Sequence, residues 1–193
     1  MSRHRIVSVD EVRTRAEQQF QRYGYHATSI QTLVDCIGVG RGSIYDTFDS
    51  KRGLYVSALR RYVRSLEQRF RALHDQPSPR AAILSVFESW MKESRDGCFL
   101  VNTSVELAPH DGEIAQIVAN SLQEIENVFV RLIGQGQASG EILPAVDPVL
   151  TARGLLALYI TLCVLTRSGS DESSRRDFAG MAGAMLTDHN RRK

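Results

Sequence analysis

With 193 residues, 42% of them hydrophobic and 24% charged, the chain has the balance of an ordinary globular protein and enough apolar material for one large or two small domains. The formal net charge of +2 hides an asymmetry. Residues 1–75 hold 13 Lys+Arg against 8 Asp+Glu, a balance of +5, whereas residues 76–193 stand at −3. Three scattered cysteines, at 36, 98 and 163, show neither a paired disulfide spacing nor a metal pattern, which points to a reducing, cytoplasmic setting. The start, M-S-R-H-R-I, lacks the apolar core of a signal peptide. The longest apolar run, residues 154–165, is interrupted by Thr161 and falls short of the roughly 20 residues of a membrane span. No membrane association is expected.

In chain order, Arg3, His4 and Arg5 form a short basic arm. Ser8 or Asp10 caps a first helix in which Val12, Ala16 and Phe20 share one side, and Gly24 ends it. Thr28 and Ser29 cap a second helix with Ile30, Leu33, Val34 and Ile37 on one face. Gly38 turns the chain, because glycine tolerates positive φ. A third helix begins near Arg41 and sends Ile44 and Phe48 inward. Arg41, Gly42, Ser43, Tyr45, Asp46 and Thr47 are left facing out. A short helix with Arg, Ser, Tyr and Thr on its free face suits a DNA major groove, where such groups reach base edges and phosphates. The spacing predicts a helix-turn-helix in a basic head.

Asp49-Ser50 caps a long amphipathic helix from Lys51 to about residue 75, marked by Leu54, Leu59, Val63, Leu66 and Phe70. Pro77 and Pro79 stop it and begin the next helix, over residues 80–94. Further helices are expected at 98–108, at 111–133 up to the G-Q-G-Q-A-S-G run of 134–140, at 149–166 and at 175–189. The pattern is all-α: roughly nine helices, three in a DNA-binding head of residues 1–52 and six in a body of residues 53–193.

The run Phe20-Gln-Arg-Tyr-Gly24-Tyr25-His-Ala-Thr28-Ser29-Ile30, followed by Gly38-Val39, Gly42-Ser43-Ile44-Tyr45, Phe48 and Ser50-Lys51, resembles the N-terminal domain of TetR-family (tetracycline-repressor-like) transcriptional regulators. About ten positions match in register across residues 12–60. Three positions depart from the family pattern. Ile37 replaces a small residue, Gly40-Arg41 replaces a common Ser-Lys, and Asp46 stands where His is frequent. The first falls on packing and the other two on the DNA face. The resemblance implies a cytoplasmic homodimer with a DNA-binding head and a ligand-binding body, and a double-stranded inverted-repeat operator as partner. Arg41, Gly42, Ser43, Tyr45 and Thr47 are then the DNA-reading positions, with Tyr25, Thr28 and Lys51 on phosphates. It also implies a dimer interface through residues 149–166 and 175–189. A charge at Leu158 or Met181 is expected to give monomers or insoluble protein, with either position free to face the partner or the protomer's own core.

No catalytic constellation appears: there is no P-loop, no G-x-S-x-G, no H-E-x-x-H and no C-x-x-C, and neither a metal site nor a cofactor is expected. Candidate walls for a small-molecule pocket are Phe87, Trp90, Met91, Cys98, Phe99, Phe129 and Tyr159, each of which also suits a core position. Asn102 and Glu106, four apart on one helix, either line that pocket or form a capping or surface pair. Gly97-Cys98 with Asn102 further resembles a pattern in one branch of the family, some of whose members respond to electrophiles or oxidants. Cys98 in the first turn of a helix, with Arg95 nearby, is then a candidate thiolate sensor; its alternative is a packed thiol. The leading expectation is a repressor released from DNA by a small molecule. A Cys98-based redox sensor, a small helical enzyme and an architectural DNA-binding protein are the competing readings.

Overall fold

The computed structural model describes residues 7–89 and 96–187, within which nine α-helices and two 3-10 turns account for the regular structure and no strand occurs. The basic arm at residues 3–5, Trp90, Met91, Arg95 and His189 lie outside the described residues. The helices are α1 Val9–Tyr23, α2 Ile30–Ile37, α3 Arg41–Phe48, α4 Lys51–Arg71, α5 Pro79–Ser89, α6 Phe99–Glu106, α7 Gly112–Ala138, α8 Pro148–Ser168 and α9 Glu172–Met185. They divide into two compact units, one of Met1–Arg64 with Cys98–Val118, the other of Ser65–Gly97 with Ala119–Lys193.

The first unit is held by the inward faces that the helical period dictates. Val12, Ala16 and Phe20 of α1, Leu33 and Ile37 of α2, and Ile44 and Phe48 of α3 are buried. Burying an aliphatic or aromatic side chain of this size stabilises by about 1.5–3 kcal/mol. Tyr55 of α4 is the hub of an aromatic cluster, with ring centroids 4.8 Å from Phe20, 5.2 Å from Tyr25 and 5.2 Å from Phe99. Its hydroxyl shares a 2.7 Å hydrogen bond with Thr103, and burial pushes its pKa well above the usual tyrosine range. The caps follow the sequence closely. Ser8 accepts from the Glu11 amide, Ser29 from the Thr32 amide, and Ser50 from the Gly53 amide.

In the second unit the core is again aromatic. Phe70 meets Phe129 at 5.8 Å and Tyr159 at 5.6 Å, both edge-on, and Phe87 stacks on Phe129 at 6.1 Å. Helix α7 continues past Ile133 through the glycine-containing stretch to Ala138. The chain then folds back on the helix end: the Glu141 and Ile142 amides both donate to the Gly136 carbonyl, and Gln137 donates to the Leu143 and Val146 carbonyls. The first two bonds satisfy a carbonyl that a helix end ordinarily leaves open, and the Gln137 bonds tie down the loop that follows.

Helix α8 is longer than its uninterrupted apolar run, since Asp147 caps it and Gly169 closes it. At 21 residues, with a mean hydropathy of 1.9 over its most apolar window, it is by length and composition apolar enough to cross a membrane. Leu155, Leu158, Tyr159, Leu162 and Cys163 are instead buried in the second unit. Of the two alternatives left open for Leu158, a partner-facing position and the protomer's own core, the structure takes the second: the residue is 7% exposed. Met181 of α9 is 52% exposed.

Candidate nucleic-acid interface and effector cavity

The turn between α2 and α3 is made by Gly38, whose φ of 77° lies in the left-handed region open to glycine. Arg15 of α1 donates to the Ile37 carbonyl at 2.6 Å and so braces the end of α2. On α3, Ile44 and Phe48 are buried while Arg41, Gly42, Ser43, Tyr45, Asp46 and Thr47 are all exposed. This is the face that the spacing predicts. Burial of two side chains four apart fixes the helix rotation, so the remaining residues have one direction in which to point.

Tyr25, Thr28 and Lys51 come together beside that helix pair. The Lys51 ammonium donates to the Tyr25 and Thr28 carbonyls at 2.9 Å each and stands 4.0 Å from the Tyr25 ring centroid. An ammonium has three donors, so one remains after these two bonds. Burial lowers the Lys51 pKa from its ordinary value, and the charge of Glu106 acts in the opposite direction. Thr28 is fully buried and donates its hydroxyl to the Gly24 carbonyl at 2.6 Å. It braces the α1–α2 loop, and Ser29 alone caps α2.

Asn102 and Glu106 act on that same loop. The Asn102 amide donates to the Gln21 carbonyl at 3.2 Å. The Glu106 carboxylate accepts from the Tyr25 and His26 backbone amides at 3.0 and 2.9 Å. Gly24, with φ of 83°, makes room for it: a Cβ there would lie 2.8 Å from Glu106 Oε2. Residues 24–28 are thus gripped on their amides by a carboxylate and on their carbonyls by an ammonium. Sequence reasoning found each residue but not the clamp, whose partners stand about 80 positions apart. It also missed Arg52 of α4, which forks onto Asp111 at 2.6 and 2.9 Å and reaches Glu113 at 2.8 Å.

Cys98 is buried at 0% exposure and is the N-cap residue of α6, one position before the first turn. The Tyr62 hydroxyl donates to its sulfur at 3.3 Å. Cys98 and Phe99 belong to the first unit, and Phe87 and Phe129 to the core of the second. Of the candidate pocket residues, Tyr159 lines a cavity of about 210 Å³ in the second unit. Its other walls are Leu66, Arg69 and Phe70 of α4, Leu73 of the 3-10 turn Ala72–Asp75, and Ser85, Val86 and Ser89 of α5. No group of three metal-ligating side chains is placed to hold an ion among the described residues.

A helix-turn-helix whose short second helix offers a polar face, joined to an all-α second unit, defines a DNA-binding regulator. Residues 13–58 match the family model of bacterial regulatory proteins of the tetR family, and residues 77–180 match that of the tetracyclin repressor-like C-terminal domain. The chain belongs to the TetR family of transcriptional regulators. The uncharacterized HTH-type transcriptional regulator YezE of Bacillus subtilis (strain 168) is 28% identical over 196 residues, 96% of this chain and 100% of that protein. The HTH-type transcriptional repressor ComR of Escherichia coli (strain K12) is 28% identical over 189 residues, 92% of this chain and 88% of that one. The fold is that of a cysteine mutant of the TetR family regulator CifR, solved with 26bp double-strand operator DNA. That match has a TM-score of 0.80 and 21% identity, covering 95% of this chain and 98% of that one.

Proposed function

We propose that the protein is a homodimeric repressor that reads an inverted-repeat operator with α3 and is released from it by a small molecule bound in the body. The single observation that carries the DNA-reading assignment is the α3 face. Arg41, Ser43, Tyr45 and Thr47 are exposed together, and Gly42 lets the backbone approach the DNA closely. Lys51 serves a phosphate with its remaining donor, and Tyr25 lies beside it. Thr28 serves the same end by holding the loop in shape. On this reading residues 1–52 hold the DNA-binding function, residues 53–193 serve ligand binding and dimerisation, and the protein works in the cytoplasm, where its operator is.

The regulator acts by binding and not by catalysis, a reading supported by the absence of any catalytic motif in the sequence and by the regulators among its relatives. Effector release is favoured over a Cys98 response because thiol chemistry needs access, and this sulfur is buried and hydrogen-bonded. The test is fluorescence anisotropy with the DNA upstream of the protein's own gene against random competitor. Wild type should bind specifically, two protomers to a site whose half-site centres lie about 34–36 Å apart. Arg41→Ala should lose affinity or preference. Binding that random DNA competes away equally well would refute the reading.

A further inference from the structure

The cavity of the second unit is apolar on most of its surface, through Leu66, Phe70, Leu73 and Val86, and among the described residues one charged group, Arg69, lines it. Arg71, two residues on, is spent on Glu67 at 3.0 Å and Glu124 at 3.4 Å. Arg69 has no ion pair or hydrogen bond among the described residues. Among the described residues, no acidic side chain lines the cavity. The two serine hydroxyls in its wall donate to their own helix, Ser85 to the Ala82 carbonyl at 2.7 Å and Ser89 to the Val86 carbonyl at 2.8 Å, and so keep only acceptor capacity. Among these wall residues Arg69 therefore sets the sign of the ligand's charge.

Size and charge narrow the ligand further. A dry apolar cavity of about 150 Å³ admits benzene, and about 210 Å³ leaves room for a ring or short chain with a polar end. One guanidinium matches one carboxylate in a two-pronged pair. A phosphate dianion would need a second cation to offset its desolvation, and the described wall residues offer none. Arg69 is exposed, which places the charged end at the mouth and the apolar body inside.

We propose that this cavity takes a small organic monocarboxylate with an apolar body, its carboxylate paired with Arg69. The assignment rests on the effector-release reading above and specifies the class of effector.

Isothermal titration of the full chain with benzoate, benzamide and benzylamine at millimolar concentration tests it. Benzoate should bind about tenfold or more tighter than benzamide, the range of a charge-assisted hydrogen bond. Arg69→Gln should abolish that preference and leave the weak amide binding as it was, with Arg69→Lys recovering part of it. Val86→Phe, which fills the cavity, should block both ligands, and circular dichroism checks that each variant is folded. The proposal is overturned by the absence of benzoate binding, by benzamide or benzylamine binding as tightly, or by unchanged benzoate affinity in Arg69→Gln. An operator anisotropy arm separates the two readings. Benzoate that binds through Arg69 yet leaves the DNA complex intact refutes effector release and leaves the cavity assignment standing. Release by benzamide in wild type and Arg69→Gln alike refutes the cavity assignment and leaves effector release standing.

Discussion

Lys51 donates to the backbone carbonyl of Tyr25 at 2.9 Å while standing 4.0 Å from the centroid of the same residue's ring. One ammonium thereby fixes both the main chain and the side chain of a loop residue next to the proposed DNA face. Lys51→Ala removes the proposed phosphate partner and a loop brace together. DNA affinity should fall on all sequences alike, and the salt slope should flatten by about 0.9 for each phosphate left unneutralised at a half-site. Urea unfolding should show a loss of about 2 kcal/mol, since hydrogen bonds to a charged donor go with it. A variant with wild-type stability and wild-type salt slope would disprove both roles.

The opposite grip on the loop, by Glu106, makes a second expectation. Glu106→Gln keeps one acceptor but turns an NH₂ group toward the other backbone amide, so unfolding should cost about 1–2 kcal/mol less than in wild type. Gly24→Ala forces both a left-handed backbone and a Cβ 2.8 Å from Glu106 Oε2. A double-mutant cycle of Gly24→Ala with Glu106→Ser should show destabilisation that is less than additive, because the serine vacates the space that the methyl needs. Strict additivity would mean that the two positions do not meet.

The α3 face was legible in the sequence because it follows from a local period: Ile44 and Phe48 must go in, so Arg41, Ser43, Tyr45 and Thr47 must go out. The clamp was not, because nothing local ties Glu106 to the amides of Tyr25 and His26. The spacing of Asn102 and Glu106 announced a shared face and left its destination open, and that destination is the end of α1 and its loop. Thr28 and Ser29 are equivalent as cap residues on paper; packing chose between them by burying Thr28. The cavity was harder still. Phe87, Phe99 and Phe129 are large apolar side chains like Tyr159, but they fill core space. The remaining walls are apolar residues that suit a core equally well, such as Leu66 and Leu73, together with Ser85 and Ser89, none of which hints at a void.

Acid should expose the Arg52 network. The paired guanidinium of Arg52, with help from the Glu113 and Ile114 amides, holds the Asp111 carboxyl at about 2 against an ordinary 3.8, and Glu113 is lowered by the same arginine and by Arg60. A carboxyl with a depressed folded pKa contributes stability above its unfolded pKa and loses it as pH falls through the folded one. Asp111→Asn keeps the cap on α7, since asparagine is also a good N-cap, and removes only the charge. The melting temperature of wild type should exceed that of the variant above about pH 5, with the gap closing toward about pH 2. Added salt should narrow it at neutral pH, because the groups are exposed. A gap independent of both pH and salt would show that the ion pairs contribute nothing.

The dimer prediction now rests on which apolar residues the protomer leaves uncovered. Leu150 is 70% exposed and Val164 50% on α8, and Met181 is 52% exposed on α9, whereas Leu158 on α8 is 7% exposed. Apolar groups of this size left in water on two adjoining helices favour a second copy, as the family's dimers imply. Leu150→Glu combined with Met181→Glu should give a folded monomer by sedimentation, with wild-type helicity. Leu158→Glu should instead give insoluble or unfolded protein, because it buries a charge in the protomer's own core. The monomer should still engage a single half-site and bind the operator about 10²-fold or more weakly, since the second recognition helix is no longer delivered at high effective concentration. A wild-type chain that sediments as a monomer at micromolar concentration, or a double variant that stays dimeric, would place the interface elsewhere.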